Sequence, residues 1–311
     1  MMVRKLLLAS AMVAVSAAAA QAADPESCKA VRLSDVGWTD IQATTGLTTV
    51  LLKGLGYEPT SEPLSVEVTL QSMKNKDIDV FLGNWMPSMA SQIDPYTKDG
   101  SIDRLETPNL EGAGYGMVVP TYVADAGVKD LKDLAAHEDK FDGKIYGIEP
   151  GNDGNKIVQG FIDDPATGLQ GWELVESSEQ GMLTQAEKLM KDNDWVVFLG
   201  WTPHPVMGQM SLHYLSGVEE AGFGPATVYT TTRDGYVEEC PNVGKLLSNL
   251  QFDLGMEGDM MNAILADGKD GETAGKEWLS KNPQAIDKYL AGVTTFDGQD
   301  GVAAVKASLG L

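Results

Sequence analysis

The sequence predicts an α/β protein of two domains, with both chain ends in one domain and the middle of the chain inserted as the other. Three observations predict it. Apolar runs of strand length alternate with helix-periodic stretches in β-α-β-α-β order, which implies a mostly parallel sheet covered by helices. The 311 residues exceed what one hydrophobic core usually serves. The two cysteines, Cys28 and Cys240, lie far apart in the chain. A bridge between them ties the N-terminal segment to one about 210 residues later.

Met1 to Ala22 reads as a secretory signal peptide. Arg4 and Lys5 open it, Leu6 to about Ala20 is apolar and small, and Ala20-Gln21-Ala22 is a small-x-small cleavage site. The mature chain is thus expected free in the periplasm, where disulfides persist. No later stretch has the 18 consecutive apolar residues of a membrane span. Ala30 to Val36 then reads as a first strand, ended by Gly37-Trp38-Thr39-Asp40, and Ile41 to Leu55 as a helix that stops at glycine. Leu64 to Leu70 reads as a second strand, Gln71 to Asp77 as a short helix and Ile78 to Leu82 as a buried strand. Tyr115 to Pro120 and Lys144 to Ile148 follow as strands, and Pro150 to Gly154 as a loop leading into a helix at Lys156. Trp195 to Leu199 and Val228 to Thr232 are the last strands. Four helices follow, at 243–251, 258–266, 274–281 and 284–290.

Composition narrows function. Asp and Glu number 45 against 23 Lys and Arg, a formal charge of -22 that repels phosphate backbones and anionic lipid, so nucleic acid is excluded as a partner. No Gly-x-Ser-x-Gly elbow, His-Glu-x-x-His or Walker A pattern is present, and His137, His204 and His213 read as surface or packing residues. No metal-ligand spacing of His and Cys occurs, and no cofactor is expected.

The tryptophans carry the positive signal. Val80-Phe81-Leu82-Gly83-Asn84-Trp85-Met86-Pro87 echoes Val197-Phe198-Leu199-Gly200-Trp201-Thr202-Pro203, which fits two similar α/β halves. Trp38 and Trp201 directly follow a glycine, and Trp85 follows Gly83-Asn84, each at a strand's carboxyl end, where open α/β sheets bind ligands. Several inward-facing rings make a box for a cation that cannot donate strong hydrogen bonds, above all a quaternary ammonium. Asp40, two residues after Trp38, either balances such a charge or caps the following helix.

These motifs, with Lys74 to Ile78 ahead of the first echo, Tyr146-Gly147-Ile148-Glu149-Pro150-Gly151-Asn152-Asp153-Gly154-Asn155, and His204-Pro205 after the second, resemble the periplasmic choline-binding proteins of ABC importers, part of the wider glycine betaine/proline betaine-binding group. The resemblance covers essentially the whole mature chain. It implies a two-lobed type II binding-protein fold, with the ligand in the interlobe cleft. Boundaries are expected at 1–22 for the signal peptide, 23–115 and 222–311 for lobe one, and 116–221 for lobe two, with hinges near Gly112–Pro120 and Gly217–Ala226. It further implies a box of Trp38, Trp85, Tyr115 and Trp201, with Asp40 and Asn152 holding the ligand hydroxyl, Asp153 beside them, and a disulfide that Cys28 and Cys240 match. The expected partners are choline, with acetylcholine weaker, and an inner-membrane permease with its cytoplasmic ATPase; the protein itself is expected to be a monomer. The alternatives are binding of glycine betaine, proline betaine or carnitine, and hydrolysis of choline esters. Asp40 favours choline, because it repels the carboxylate of a betaine and accepts a hydroxyl.

Overall fold

The computed structural model describes residues 24–311; the signal-peptide segment lies outside the described residues. Ten strands join in one mixed sheet: β1 (Ala30–Asp35), β2 (Glu58–Pro63), β3 (Val80–Met86), β4 (Ile102–Arg104), β5 (Leu110–Pro120), β6 (Lys144–Tyr146), β7 (Glu173–Val175), β8 (Phe198–Thr202), β9 (Leu212–Tyr214) and β10 (Gly224–Arg233). Their order is β2-β1-β3-β10-β5-β8-β6-β7, with β4 beside β10 and β9 beside β5.

That order is the same read outward from its centre. β1 lies parallel between β2 and β3, and β6 lies parallel between β7 and β8. β3 then pairs antiparallel with β10, and β8 antiparallel with β5. Each half is therefore a β-α-β-α-β unit completed by a strand that arrives from elsewhere in the chain. The two arriving strands pair with each other, Gly224 opposite Tyr115. The expected hinge segment 112–120 lies within β5, and 217–226 overlaps only the first three residues of β10. The internal echo is thus structural: Trp85 and Trp201 are the next-to-last residues of β3 and β8, and the Met86–Pro87 and Thr202–Pro203 peptides after them are both cis.

Most expected elements are present with shifted ends. Leu64–Leu70 is not a strand. The second strand is the preceding Glu58–Pro63, and Val66–Lys74 is a helix capped by Ser65, whose hydroxyl accepts from Val68 N. Helix Asp153–Asp163 starts three residues earlier than expected. Helices Ala90–Asp99 and Gly301–Leu309 were not anticipated.

The first helix, Thr39–Gly54, is almost wholly buried and sets the position of the site. Glycines let it lie backbone to backbone against helix Gly271–Lys281. A Cβ on Gly46 would stand 2.1 Å from the Gly271 carbonyl carbon, and one on Gly275 2.6 Å from Leu47 Cα. Larger residues would drive the helices apart. Thr44 and Thr48 satisfy their buried hydroxyls on carbonyls four residues back, at 3.0 and 2.8 Å. Cys28 and Cys240 form a disulfide across a sequence separation of 212, fastening the segment ahead of β1 to the start of helix Pro241–Asn249.

Candidate functional site

Both halves send the same kinds of residue to one place. β1 ends, Gly37 turns the chain at φ +85°, and Trp38 stands as the N-terminal boundary of the first helix with Asp40 in its first turn. In the other half β6 ends, Gly151 turns at φ +88°, and Asn152 and Asp153 open helix Asp153–Asp163. Trp85 and Trp201 come from the ends of β3 and β8. Gly83 and Gly200 precede them because nothing larger fits. A Cβ at Gly83 would meet Ile41 Cδ1 at 2.8 Å, and one at Gly200 both Val118 methyls at 2.9 Å.

Trp38, Asp40, Trp85, Tyr115, Ile148, Asp153 and Trp201 line one small cavity. The rings of Trp85 and Tyr115 have centroids 6.0 Å apart, and those of Tyr115 and Trp201 6.2 Å apart at 84°. All four rings are buried, with 3–6 % exposure, so a bound charge would meet their faces away from water. Tyr115 reaches the cavity because Gly154 makes room for it: a Cβ there would lie 1.9 Å from Tyr115 Oη. Tyr115 pairs with Trp201 in the β5–β8 ladder, which fixes the two rings relative to each other.

The polar groups divide into those already satisfied and those left open. Trp85 Nε1 donates to Asp40 Oδ2 at 3.1 Å, while Asp40 Oδ1 has no protein partner. Neither carboxylate oxygen of Asp153 completes a hydrogen bond; the adjacent Ser88 hydroxyl donates to Trp85 O at 3.4 Å. Trp201 Nε1 is likewise unpartnered. Trp38 Nε1 donates to Glu149 Oε1 at 2.8 Å. Buried polar atoms without partners are uncommon in folded proteins, so four open acceptor and donor groups around one cavity point to a ligand that completes them.

Burial makes these carboxyl groups reluctant to ionise. Asp40 is pushed up to about 7 by burial, with the charge of Glu179 adding to it and the Trp85 indole opposing. Glu149 is pushed up to about 7 by burial, opposed by the Trp38 indole. Asp153 is pushed up to about 6 by burial, with the neighbouring Ser88 hydroxyl opposing. Burial, and then the Asp153 charge, holds the Tyr115 phenol well above its ordinary range. A cation in the cavity would relieve all three acids.

The structure brings together Trp38, Asp40, Trp85, Tyr115, Asp153 and Trp201, but not Asn152. Asn152 is not among the lining residues; it caps the helix, its Oδ1 accepting from Asn155 N at 2.8 Å and its Nδ2 donating to Glu149 O, and each atom keeps room for one further bond. Asp40 does not cap its helix; it lies one residue inside the first turn. Three further residues take part that sequence reasoning did not single out, Ile148, Glu149 and Glu179, together with His204, which the sequence marks only as a surface or packing residue. Ile148 supplies an apolar wall, and Glu149 anchors Trp38. Glu179 and His204 form a buried pair at 3.0 Å beside Trp201. Ile148, Glu149 and His204 lie inside the motif segments themselves, so the pattern marked their neighbourhood without assigning them a role.

A small aromatic cavity with open carboxylates, walled by both halves of a mirrored sheet, defines a solute-binding protein rather than a structural domain. The comparisons give the family. The substrate-binding domain of ABC-type glycine betaine transport systems matches residues 29–281, and the chain belongs to that family. A solved ABC-transporter choline-binding protein in complex with choline is 54% identical, with a TM-score of 0.90, covering 92% of this chain and 100% of that one. The unliganded, semi-closed form of an ABC-transporter choline-binding protein matches over the same coverage and identity with a TM-score of 0.83. The glycine betaine/carnitine transport binding protein GbuC of Listeria monocytogenes is 30% identical over 158 residues, 50% of this chain and 52% of that protein.

Proposed function

We propose that this protein captures choline between its two lobes in the periplasm and delivers it, chemically unchanged and as a monomer, to an ABC permease. The observation that carries the reading is the cavity itself: four aromatic rings, with Asp40 Oδ1 and both Asp153 oxygens unpartnered and no Lys or Arg among the lining residues. The rings supply about 0.5–2 kcal/mol each to a desolvated quaternary ammonium. Micromolar binding needs about 8 kcal/mol net of the costs of association. Rings alone fall short, so the carboxylates must contribute, and they reward a ligand with one positive charge and one hydroxyl donor. Choline has both. A betaine would instead turn its own carboxylate toward Asp40 and Asp153, where like charges repel. Asp40 and Asp153 hold open acceptors for the hydroxyl, with Asn152 beside Asp153 at the same helix start.

The pairing of β5 with β10 supports lobe boundaries near residues 115 and 222, with these strands bending as the lobes close on the ligand. The similarity to the choline complex supports both the ligand and the closed form. Calorimetric titration at pH 8 with choline, acetylcholine, glycine betaine and carnitine tests the proposal. Choline should bind most tightly and acetylcholine more weakly. Glycine betaine binding more tightly than choline, or hydrolysis of acetylcholine by the purified protein, would overturn it.

A further inference from the structure

We infer that Glu179 is a positioning residue: it caps, from the opposite lobe, the helix that carries Asp40, and so latches the closed form around its ligand. The first helix lacks a cap of its own. Its N-terminal boundary residue is Trp38, whose side chain makes no capping bond. Helix starts leave their first N–H groups without intrahelical partners, and these are normally met by a nearby Ser, Thr, Asp or Asn. Here Glu179, 140 residues away in sequence, supplies the acceptor. Its Oε2 accepts from Thr39 N at 2.8 Å and its Oε1 from the Thr39 hydroxyl. Oε1 also bonds His204 Nε2 at 3.0 Å, and the His204 ring lies 5.0 Å from that of Trp201.

One carboxylate thus joins three segments that carry the site. Thr39 stands between Trp38 and Asp40, and His204 follows Trp201. Glu179 itself opens helix Glu179–Lys191, capped by Ser178. Glu179, His204 and Thr39 are 2 %, 3 % and 2 % exposed. The contact runs from a helix of the inserted segment to a helix of the N-terminal one, so it exists only while the two are together. The mirrored half makes the weaker counterpart. Glu67, near the start of helix Val66–Lys74, meets Lys156 in the first turn of helix Asp153–Asp163 at 2.5 Å. That pair is exposed and screened by solvent.

A hydrogen bond to a charged group in a buried place is worth about tenfold to a hundredfold in an equilibrium. A contact made only after closure is lost on opening, so its removal acts on dissociation and not on encounter. The inference rests on the choline reading for its ligand. Stopped-flow tryptophan fluorescence with choline, run in parallel with glycine betaine, tests it in the full mature protein. Glu179→Gln removes the negative charge and one of the two acceptor oxygens that hold Thr39 and should raise the dissociation rate about tenfold to a hundredfold. The association rate and the ligand-free melting temperature should stay close to wild type. Thr39→Val should act in the same direction and more weakly, Thr39→Ser should restore the wild-type rate, and Glu67→Gln should change it less than about twofold. An unchanged dissociation rate in Glu179→Gln overturns the latch. So does an affinity loss carried by slower association together with a lower ligand-free melting temperature, which marks a merely structural residue. Wild-type protein that holds betaine more tightly than choline contradicts the choline reading alone, because the rate ratio between variant and wild type still reports the latch with betaine.

Discussion

Asp40→Asn separates charge from shape at the centre of the site. The amide is isosteric, and its oxygen can still accept from Trp85 Nε1, now 3.1 Å from Asp40 Oδ2, so the box keeps its geometry. What disappears is the attraction between a buried carboxylate and the cation. At an effective dielectric of about 20 and a separation of about 4–8 Å, that attraction is about 2–4 kcal/mol. The loss corresponds to a rise in the choline dissociation constant of about 30-fold to several hundredfold. The measurement belongs at pH 8. Burial pushes Asp40 up to about 7, so only above that value is the wild-type carboxylate fully ionised and the full difference visible. Discrimination against glycine betaine should relax in the same variant, since one repelling carboxylate is gone. Isothermal titration of both proteins with both ligands reads the two effects. A choline affinity within about threefold of wild type at pH 8 would refute the electrostatic part of the reasoning.

Three further outcomes follow from the same geometry. Gly154→Ala puts a methyl where Tyr115 Oη now lies, 1.9 Å from the Cβ position, and should weaken choline binding at least tenfold; adding Tyr115→Phe should recover part of the loss by fluorescence titration. The raised carboxyl groups of Asp40, Glu149 and Asp153 retain protons that an unfolded chain releases between about pH 4 and 7. The ligand-free closed form therefore loses stability as pH rises through that window, and the cation offsets the loss. The increase in melting temperature on adding choline should accordingly be larger at pH 8 than at pH 5.5 in differential scanning fluorimetry. Replacing Cys28 and Cys240 with serine frees a loop closed over 212 residues, for which chain entropy assigns about 5 kcal/mol, and should lower the melting temperature while leaving choline affinity near wild type.

Much of this was legible because the signals are local. Each strand that ends in glycine and tryptophan carries its own pattern, and β-α-β-α-β alternation follows from hydrophobic runs. The second strand was missed for a physical reason. Glu58–Pro63 reads EPTSEP, without one aliphatic or aromatic side chain, and persists as an edge strand paired on one side to β1, where its prolines are tolerated. The following Leu64–Leu70 alternates like a strand, yet Ser65 caps it into a helix whose Val66, Leu70 and Met73 are buried. Asn152 shows how one motif residue can serve two ends: its side chain caps a helix through one bond at Oδ1 and one at Nδ2, and each atom keeps room for a further one. Glu179 had no local signal beyond starting a helix. Its importance comes from Thr39, 140 residues away, and only the folded chain puts them together.

The central claim is that four rings and two carboxylates enclose one methylated cation bearing a hydroxyl. A crystal structure of the protein grown with choline tests it most directly. The account predicts the trimethylammonium group among Trp38, Trp85, Tyr115 and Trp201, with the hydroxyl on Asp40 or Asp153. Electron density that places choline outside this cavity, or with its hydroxyl turned away from both acids, would contradict it.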